Sequence, residues 1–184
     1  MTFSPNVPRS GAVVAFVLLS LAACTPALDW REVQGGSVPF SVMMPAKPKM
    51  MTRQLALDGM PVTMTMTAAE VDGVTFAVGS VELADAEQAR RAMQAMRVAL
   101  VNNIHGKILH ETAADASSVQ PGALHSHRSI ELEALGTTPD GRSRLLAARF
   151  VAQDRRAYQA LVTGAQKAVS REQIDTFLTS FKVD

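Results

Sequence analysis

Apolar and polar positions near the end of the chain predict a strand hairpin. Leu145 to Ala152 and Ala157 to Thr163 are apolar runs, and the charged stretch Asp154-Arg155-Arg156 separates them. Two short apolar runs with a polar break between them are typical of antiparallel strands joined by a tight turn. The last part of the chain therefore contains a predicted β-hairpin.

A short amphipathic helix is predicted after this hairpin. Four apolar residues recur at the helical spacing i, i+3, i+4 and i+7, namely Ile174, Phe177, Leu178 and Phe181. Ser170 precedes them as the predicted N-cap, with Gln173 able to reach back to the first backbone amides. A helix this short is marginal by itself, so we expect its apolar face to pack on the preceding hairpin.

Turn sequences predict a strand meander in the first half of the chain. Val38 to Met44 is the predicted first strand. Asp58-Gly59 and Asp72-Gly73 then divide three further apolar stretches, which are Arg53–Leu57, Met60–Val71 and Val74–Leu83. Asp-Gly between apolar runs favours two-residue type I′ turns, because both central residues need positive φ.

The hydrophobic period changes to that of a helix between Asp85 and Asn103. Four apolar residues repeat at intervals of four, three and four, namely Ala89, Met93, Met96 and Leu100. Asp85 with Gln88 three positions later is a predicted cap. Strands are predicted next at Lys107–Thr112 and Leu124–Leu135, separated by a polar loop from Ala113 to Gly122. This order of strands, helix, strands and helix predicts an α+β fold on a mainly antiparallel sheet.

The beginning of the chain predicts an envelope address. Gly11 to Ala23 is an apolar run that is too short for a comfortable membrane span and is typical of a secretory signal peptide. It ends in Leu21-Ala22-Ala23-Cys24, which resembles the cleavage box of bacterial lipoproteins. The resemblance implies that Cys24 is the first mature residue and carries a diacylglycerol and a further acyl chain, palmitate. Two or more acyl chains anchor a protein stably.

The same resemblance gives the expected domain organisation and location. Residues 1–23 are then the signal peptide, 24–36 a tether and 37–184 a single domain. Thr25 follows the cysteine where an aspartate would signal retention in the inner membrane. The resemblance therefore implies an outer-membrane lipoprotein that faces the periplasm, with the inner membrane as the alternative.

Charge and cysteine content exclude several classes of function. Removing residues 1–23, which contain Arg9 and no acid, leaves equal numbers of basic and acidic side chains. Such a balance argues against a nucleic-acid-binding protein, which needs a basic field. The single cysteine is the predicted lipid site, so none remains for a disulfide, a cysteine nucleophile or a zinc thiolate site.

Two segments resemble the PsbP-like fold family. The first is Phe40-Ser41-Val42 followed by Met44-Pro45, and the second is Tyr158 to Val162 followed by Phe177 to Phe181. That family has an αβα sandwich, a mainly antiparallel β-sheet flanked by helices, and it includes DcrB-like bacterial lipoproteins. The resemblance implies a binding or assembly subunit without catalysis of its own, and it transfers no active-site residue.

Histidines are the first candidate ligands for a metal. On an extended strand, His125 and His127 lie on the same side as Glu131 and Glu133. If the polar loop closed a hairpin, His110 would lie across from His125 or His127. Imidazoles with a carboxylate suit zinc or copper. The alternative, which we favour, is the solvated face of a half-buried strand.

Methionines and one short motif complete the candidates. Met60, Met64 and Met66 share a face of one predicted strand, and thioethers bind Cu(I), but methionine is also a flexible core residue. His110-Glu111 begins like a zinc-protease helix motif, yet Ala114 occupies the place of the second histidine.

From the sequence we therefore expect a lipid-anchored, non-catalytic binding or assembly module of the bacterial cell envelope. We expect it to have an envelope protein partner, no cofactor and no enzymatic activity. The alternative is a periplasmic copper- or zinc-handling lipoprotein that uses His110, His125 and His127.

Overall fold

The computed structural model describes Met1 and residues 28–120, 123–138 and 140–183. Side chains are described for all of these residues except those in 116–126. Its ten strands and two helices follow one another along these residues. In chain order they are β1 Arg31–Gln34, β2 Phe40–Met44, β3 Lys49–Leu57, β4 Met60–Val71, β5 Val74–Glu82, α1 Ala86–Asn103, β6 Lys107–Gln120, β7 Ala123–Thr137, β8 Ser143–Gln153, β9 Arg156–Ala165, α2 Arg171–Ser180 and β10 Lys182–Val183.

Two antiparallel sheets organise these elements. The larger sheet has seven strands in the order β3-β4-β5-β9-β8-β7-β6, and the smaller has three in the order β1-β2-β10. Every pairing in both sheets is antiparallel. The predicted α+β class with a mainly antiparallel sheet is confirmed.

The seven-stranded sheet is buried on both faces in its centre, which creates two hydrophobic cores. Helix α1 covers one face, and α2 with the small sheet covers the other. Strand β9 shows how one sequence serves both cores. Ala157 and Leu161 face α1, while Tyr158 and Val162 face α2. This two-sided burial explains why β8 and β9 are nearly continuous apolar runs rather than alternating ones.

Local turn and capping signals are confirmed residue by residue. Asp58 and Gly59 have φ values of 50° and 73°, as a type I′ turn requires, and the Asp72-Gly73 turn repeats this geometry. The carboxylate of Asp85 accepts a hydrogen bond of 2.8 Å from the backbone N–H of Gln88 and caps α1. Ser170 forms a complete capping box with Gln173 at the start of α2.

Long-range pairing alters two predicted boundaries. The predicted tether contains strand β1, which pairs with β2 from Arg31 opposite Met44 to Gln34 opposite Ser41. The predicted loop from Ala113 to Gly122 is also wrong for most of its length, since β6 continues to Gln120 and pairs with β7. In both cases backbone hydrogen bonds to a neighbouring strand hold a polar segment extended, and local composition does not reveal that neighbour.

Helix α2 packs on β8 and β9, the predicted hairpin, and also on β2 of the small sheet. Phe177 is fully buried, and its ring lies edge-on to Phe76 with centroids 5.6 Å apart. Trp30 contacts the same Phe76 edge-on at 5.9 Å. Neither helix in the described part of the chain is long and apolar enough to cross a bilayer.

Candidate functional site

The segment that follows the predicted lipid site enters the domain on the α2 side of the large sheet. Cys24 itself lies outside the described residues. The backbone N–H of Asp29 donates to the carbonyl of Pro45 at 2.7 Å, and Trp30 packs into the core beneath α2. Strand β1 then joins the small sheet. The opposite face of the large sheet, which carries α1, therefore points away from the point where the chain enters.

The histidines that the sequence groups together are separated by the strand register. His110 lies opposite Glu133, whereas His127 lies opposite Ala116 on one side and Gln153 on the other. Six residues of β7 separate these positions, which is about 20 Å along a strand. The prediction that His110 lies across from His125 or His127 is wrong, because β6 and β7 pair antiparallel from Lys107 opposite Leu135 to Gln120 opposite Ala123. The backbone pairs His125 with Ser118, and its side chain lies outside those described.

His110 instead belongs to a polar cleft of about 180 Å³ between α2 and strands β6 to β8. The guanidinium of Arg171 on α2 donates two hydrogen bonds to the carboxylate of Glu133, one of them 3.1 Å long. These hydrogen bonds hold the pKa of Glu133 below its usual value, and burial opposes them. The positive charge of Arg171 lowers this pKa further, as does His110 to a smaller degree.

Arg149 and His110 also have polar neighbours in this cleft, although the buried Nε of Arg149 forms no hydrogen bond. Arg149 lies 3.2 Å from the carboxylate of Glu131, and the ring nitrogen Nε2 of His110 lies 3.1 Å from the Thr112 hydroxyl. Among the described residues, no three His, Cys, Asp or Glu side chains come together as metal ligands would. The cleft fastens α2 to β7, and we assign it no chemistry.

The methionine face of β4 packs into the core on the α1 side. Met64 is 5% exposed, and Met60 and Met66 are half-buried against the same core. The sulfur of Met66 accepts a contact of 3.8 Å from the side-chain amide of Gln159. This arrangement favours the interpretation of these residues as core side chains.

The His110-Glu111 pair lies on strand β6, not on the helix that a zinc-protease motif requires. A register shift between Ile108 and His110 marks an irregularity next to it. Glu111 accepts from the guanidinium of Arg97 at 2.8 Å and so ties β6 to α1. Glu111 therefore has a structural role in joining these two elements, while His110 lies in the cleft beside α2.

A wide groove of about 720 Å³ runs over the solvent side of α1. Its floor includes Ala95 and Val98, and Val98 is 49% exposed. Arg91 pairs with Asp58 at the β3–β4 turn at 2.7 Å, which joins one side of the groove to α1.

A smaller and more enclosed pocket of about 380 Å³ lies at the carboxyl end of α1. Apolar side chains from α1, its C-cap residue, β8 and β9 form its floor: Leu100, Ile104, Leu146 and Leu161. Its polar rim includes Arg144, Thr163 and His105, of which His105 adopts a left-handed φ of 47° just after the helix. The backbone N–H of Thr137 donates to the carbonyl of Ile104 at 3.0 Å and fixes the helix end against β7. We call this the Arg144 pocket.

Residue type and motif do not single out Arg144 in the sequence, although a signal for it exists. Leu146, Ala148 and Phe150 alternate along β8 and face α1, and Arg144 is in phase with them. A charged residue on the buried face of a strand is unusual unless it has a partner. The residue is visible in the sequence only once β8 has been assigned its buried face.

The chain matches no protein-family model, and no curated protein is significantly similar to it. The residues and their geometry therefore carry the functional argument.

Proposed function

We propose that this protein is a lipid-anchored, non-catalytic binding or assembly module of the bacterial cell envelope. In this proposal lipid on Cys24 holds it in the outer membrane, and its domain faces the periplasm and meets an envelope protein partner. The single observation that carries the proposal is the sequence Leu21-Ala22-Ala23-Cys24, in which the one cysteine of the chain occupies the lipidated position.

The geometry of the domain supports this role. Only five residues lead from Cys24 to Asp29, where the first described backbone contact is made, and they span at most about 18 Å. Acyl chains on Cys24 would therefore keep the α2 side of the domain close to the membrane surface. The α1 side, with its groove and the Arg144 pocket, would face the aqueous compartment and be open to a partner.

The layering of the fold supports the finer assignment to the PsbP-like family. A sandwich of that kind needs an antiparallel sheet covered on both faces, and here α1 covers one face while α2 and the small sheet cover the other. The segments that carry the resemblance have packing roles. Phe40, Tyr158 and Phe181 meet in one aromatic cluster, with centroids 6.1 Å apart in both of its ring contacts.

Replacement of the predicted lipid site tests the proposal directly. We expect Cys24→Ser to abolish incorporation of a labelled fatty acid and to move the protein from the membrane to the soluble fraction or leave it unprocessed, because no thiol remains to be acylated. Ser20→Ala, in the same apolar run, is the matched control and should be lipidated normally. Mass spectrometry of the wild-type protein that found a bare thiol on an unprocessed chain would remove the anchor and with it this function.

A further inference from the structure

Arg144 differs from most other arginines of the described chain in its electrostatic partners. Nine arginines there lie against a carboxylate, namely Arg31, Arg90, Arg91, Arg97, Arg128, Arg142, Arg149, Arg155 and Arg171. No carboxylate among the described residues pairs with Arg144, although it is half-buried. Its Nε donates instead to the neutral hydroxyl of Thr163 at 3.2 Å. A guanidinium that is partly removed from water gains from a counter-charge, and the anionic group of a ligand would supply one at this site.

The groups around Arg144 hold it in position for such an anion. The Thr163 hydroxyl donates to the carbonyl of Leu145 at 2.8 Å, which leaves its oxygen to accept from Arg144. The nearest acid along the chain, Asp140, is occupied by Arg142 at 2.6 Å and by the hydroxyl of Thr138. With Nε fixed by Thr163, the terminal nitrogens of the guanidinium remain to donate to a ligand.

The end of α1 does not oppose an anion as strongly as a free helix terminus would. A helix carboxyl end carries partial negative charge on its last carbonyl groups. Here the carbonyls of Val101, Asn102 and Ile104 accept backbone hydrogen bonds of 2.9, 2.9 and 3.0 Å from Gly106, His105 and Thr137. These carbonyls are thereby satisfied within the protein.

The apolar floor of the pocket determines which kind of group the ligand carries besides its anionic head. The volume of about 380 Å³ falls in the range of small-molecule sites, roughly 300–1,000 Å³. Leucine and isoleucine side chains form that floor, and no described Phe, Tyr or Trp ring lines the pocket. This surface fits an aliphatic chain better than a sugar or a nucleobase.

We propose that the Arg144 pocket binds a small organic anion, with a carboxylate or phosphate on the guanidinium of Arg144 and an aliphatic chain on the leucine floor. Guanidinium groups bind both kinds of head group through paired hydrogen bonds. This inference goes beyond the proposed envelope role and does not depend on Cys24.

Calorimetric titration of the chain from Thr25 onward tests it. Residues 28–183 contain both sheets and both cores, so this segment has what it needs to fold alone. We expect saturable 1:1 binding of octanoate, and binding at least about tenfold weaker for octanol and for acetate, which lack the charge and the chain respectively. From butanoate to octanoate, each added methylene should strengthen binding by up to about fourfold.

Arg144→Gln should weaken octanoate binding about tenfold or more, because it removes a charge-assisted hydrogen bond, and should leave octanol binding unchanged. Arg142→Gln is the matched control, since it removes the same charge from the adjacent exposed turn, and it should bind octanoate like the wild type. Octyl phosphate, titrated in parallel, identifies the head group by whether it binds more or less tightly than octanoate.

Two results would overturn the proposal. One is a wild-type chain for which neither octanoate nor octyl phosphate gives a saturable isotherm. The other is an Arg144→Gln variant that unfolds at the wild-type temperature and binds octanoate as well as Arg142→Gln does. Because lipidation plays no part in this titration, its failure leaves the Cys24 proposal standing, and the reverse also holds.

Discussion

Gly136 on β7 is the position where a single methyl group should be most costly. A Cβ placed on Gly136 would lie 1.9 Å from the carbonyl oxygen of Ile104 and 2.8 Å from its carbonyl carbon. These are backbone atoms at the end of α1, so they cannot rotate away. A contact under 3.0 Å is essentially never seen for a real Cβ, and the helix end must therefore retreat by about 1 Å or more.

The expected cost of Gly136→Ala follows from what that retreat breaks. The same Ile104 carbonyl accepts the 3.0 Å hydrogen bond from Thr137, and loss of a buried hydrogen bond costs about 1–3 kcal/mol. Overpacking adds about 1–3 kcal/mol. We expect a loss of about 3 kcal/mol in the free energy of unfolding, which for a domain of this size lowers the melting temperature by about 6–12 °C.

Two other glycines provide matched controls in urea unfolding followed by circular dichroism. At Gly79 an added Cβ would meet the side chains of Met66 and Gln159 at 2.8–3.0 Å, and these can move, so we expect a smaller loss for Gly79→Ala. Gly36 has no atom within 4 Å, and Gly36→Ala should be neutral or stabilising by up to about 1 kcal/mol. If Gly136→Ala were as stable as Gly36→Ala, the close approach of α1 to β7 would be refuted.

The remaining predictions concern the α2 side of the fold. Phe177→Ala should lower the free energy of unfolding by about 3–5 kcal/mol, measured by urea unfolding, because the ring is fully buried. Leu178→Ala, at a half-buried position, should lower it by less. Equal losses for the two variants would contradict this packing. The pKa of Glu133 is lowered by Arg171, so its contribution to stability is present above the unfolded value of 4.5 and lost as the pH falls through the folded pKa. Glu133→Gln should therefore cost at most about 1 kcal/mol at pH 7 and nothing once the pH is below the folded pKa of Glu133, which urea unfolding across this pH range measures.

Elements specified by neighbouring residues could be predicted from the sequence. The Asp-Gly turns fix their own φ values, and the caps at Asp85 and Ser170 are bonds to residues three positions away. Each of these signals needs only a few adjacent side chains and the backbone between them. The meander, both helices and the β8–β9 hairpin follow from them.

Elements specified by distant residues could not be predicted in the same way. Strand β1 is extended because it pairs with β2, and the other edge of β2 pairs with β10 at the far end of the chain. The polar end of β6 is a strand because β7 supplies its hydrogen-bond partners. Such contacts join residues far apart in sequence, and neither composition nor period encodes them.

The candidate sites show the same division between local and distant information. Alternation along β7 placed His127 and Glu133 on one side of a strand, but a metal site depends on the neighbouring strand, and that strand brings His110 to Glu133 alone. Arg144 looks in the sequence like any charged residue at the start of a strand. It becomes a candidate for binding a ligand only when the fold places it on the α1 face and pairs the neighbouring Arg142 and Arg149 with carboxylates. In this chain, a charge that the fold leaves without a counter-charge is therefore a stronger indication of a binding site than a residue type, such as histidine, that commonly binds metals.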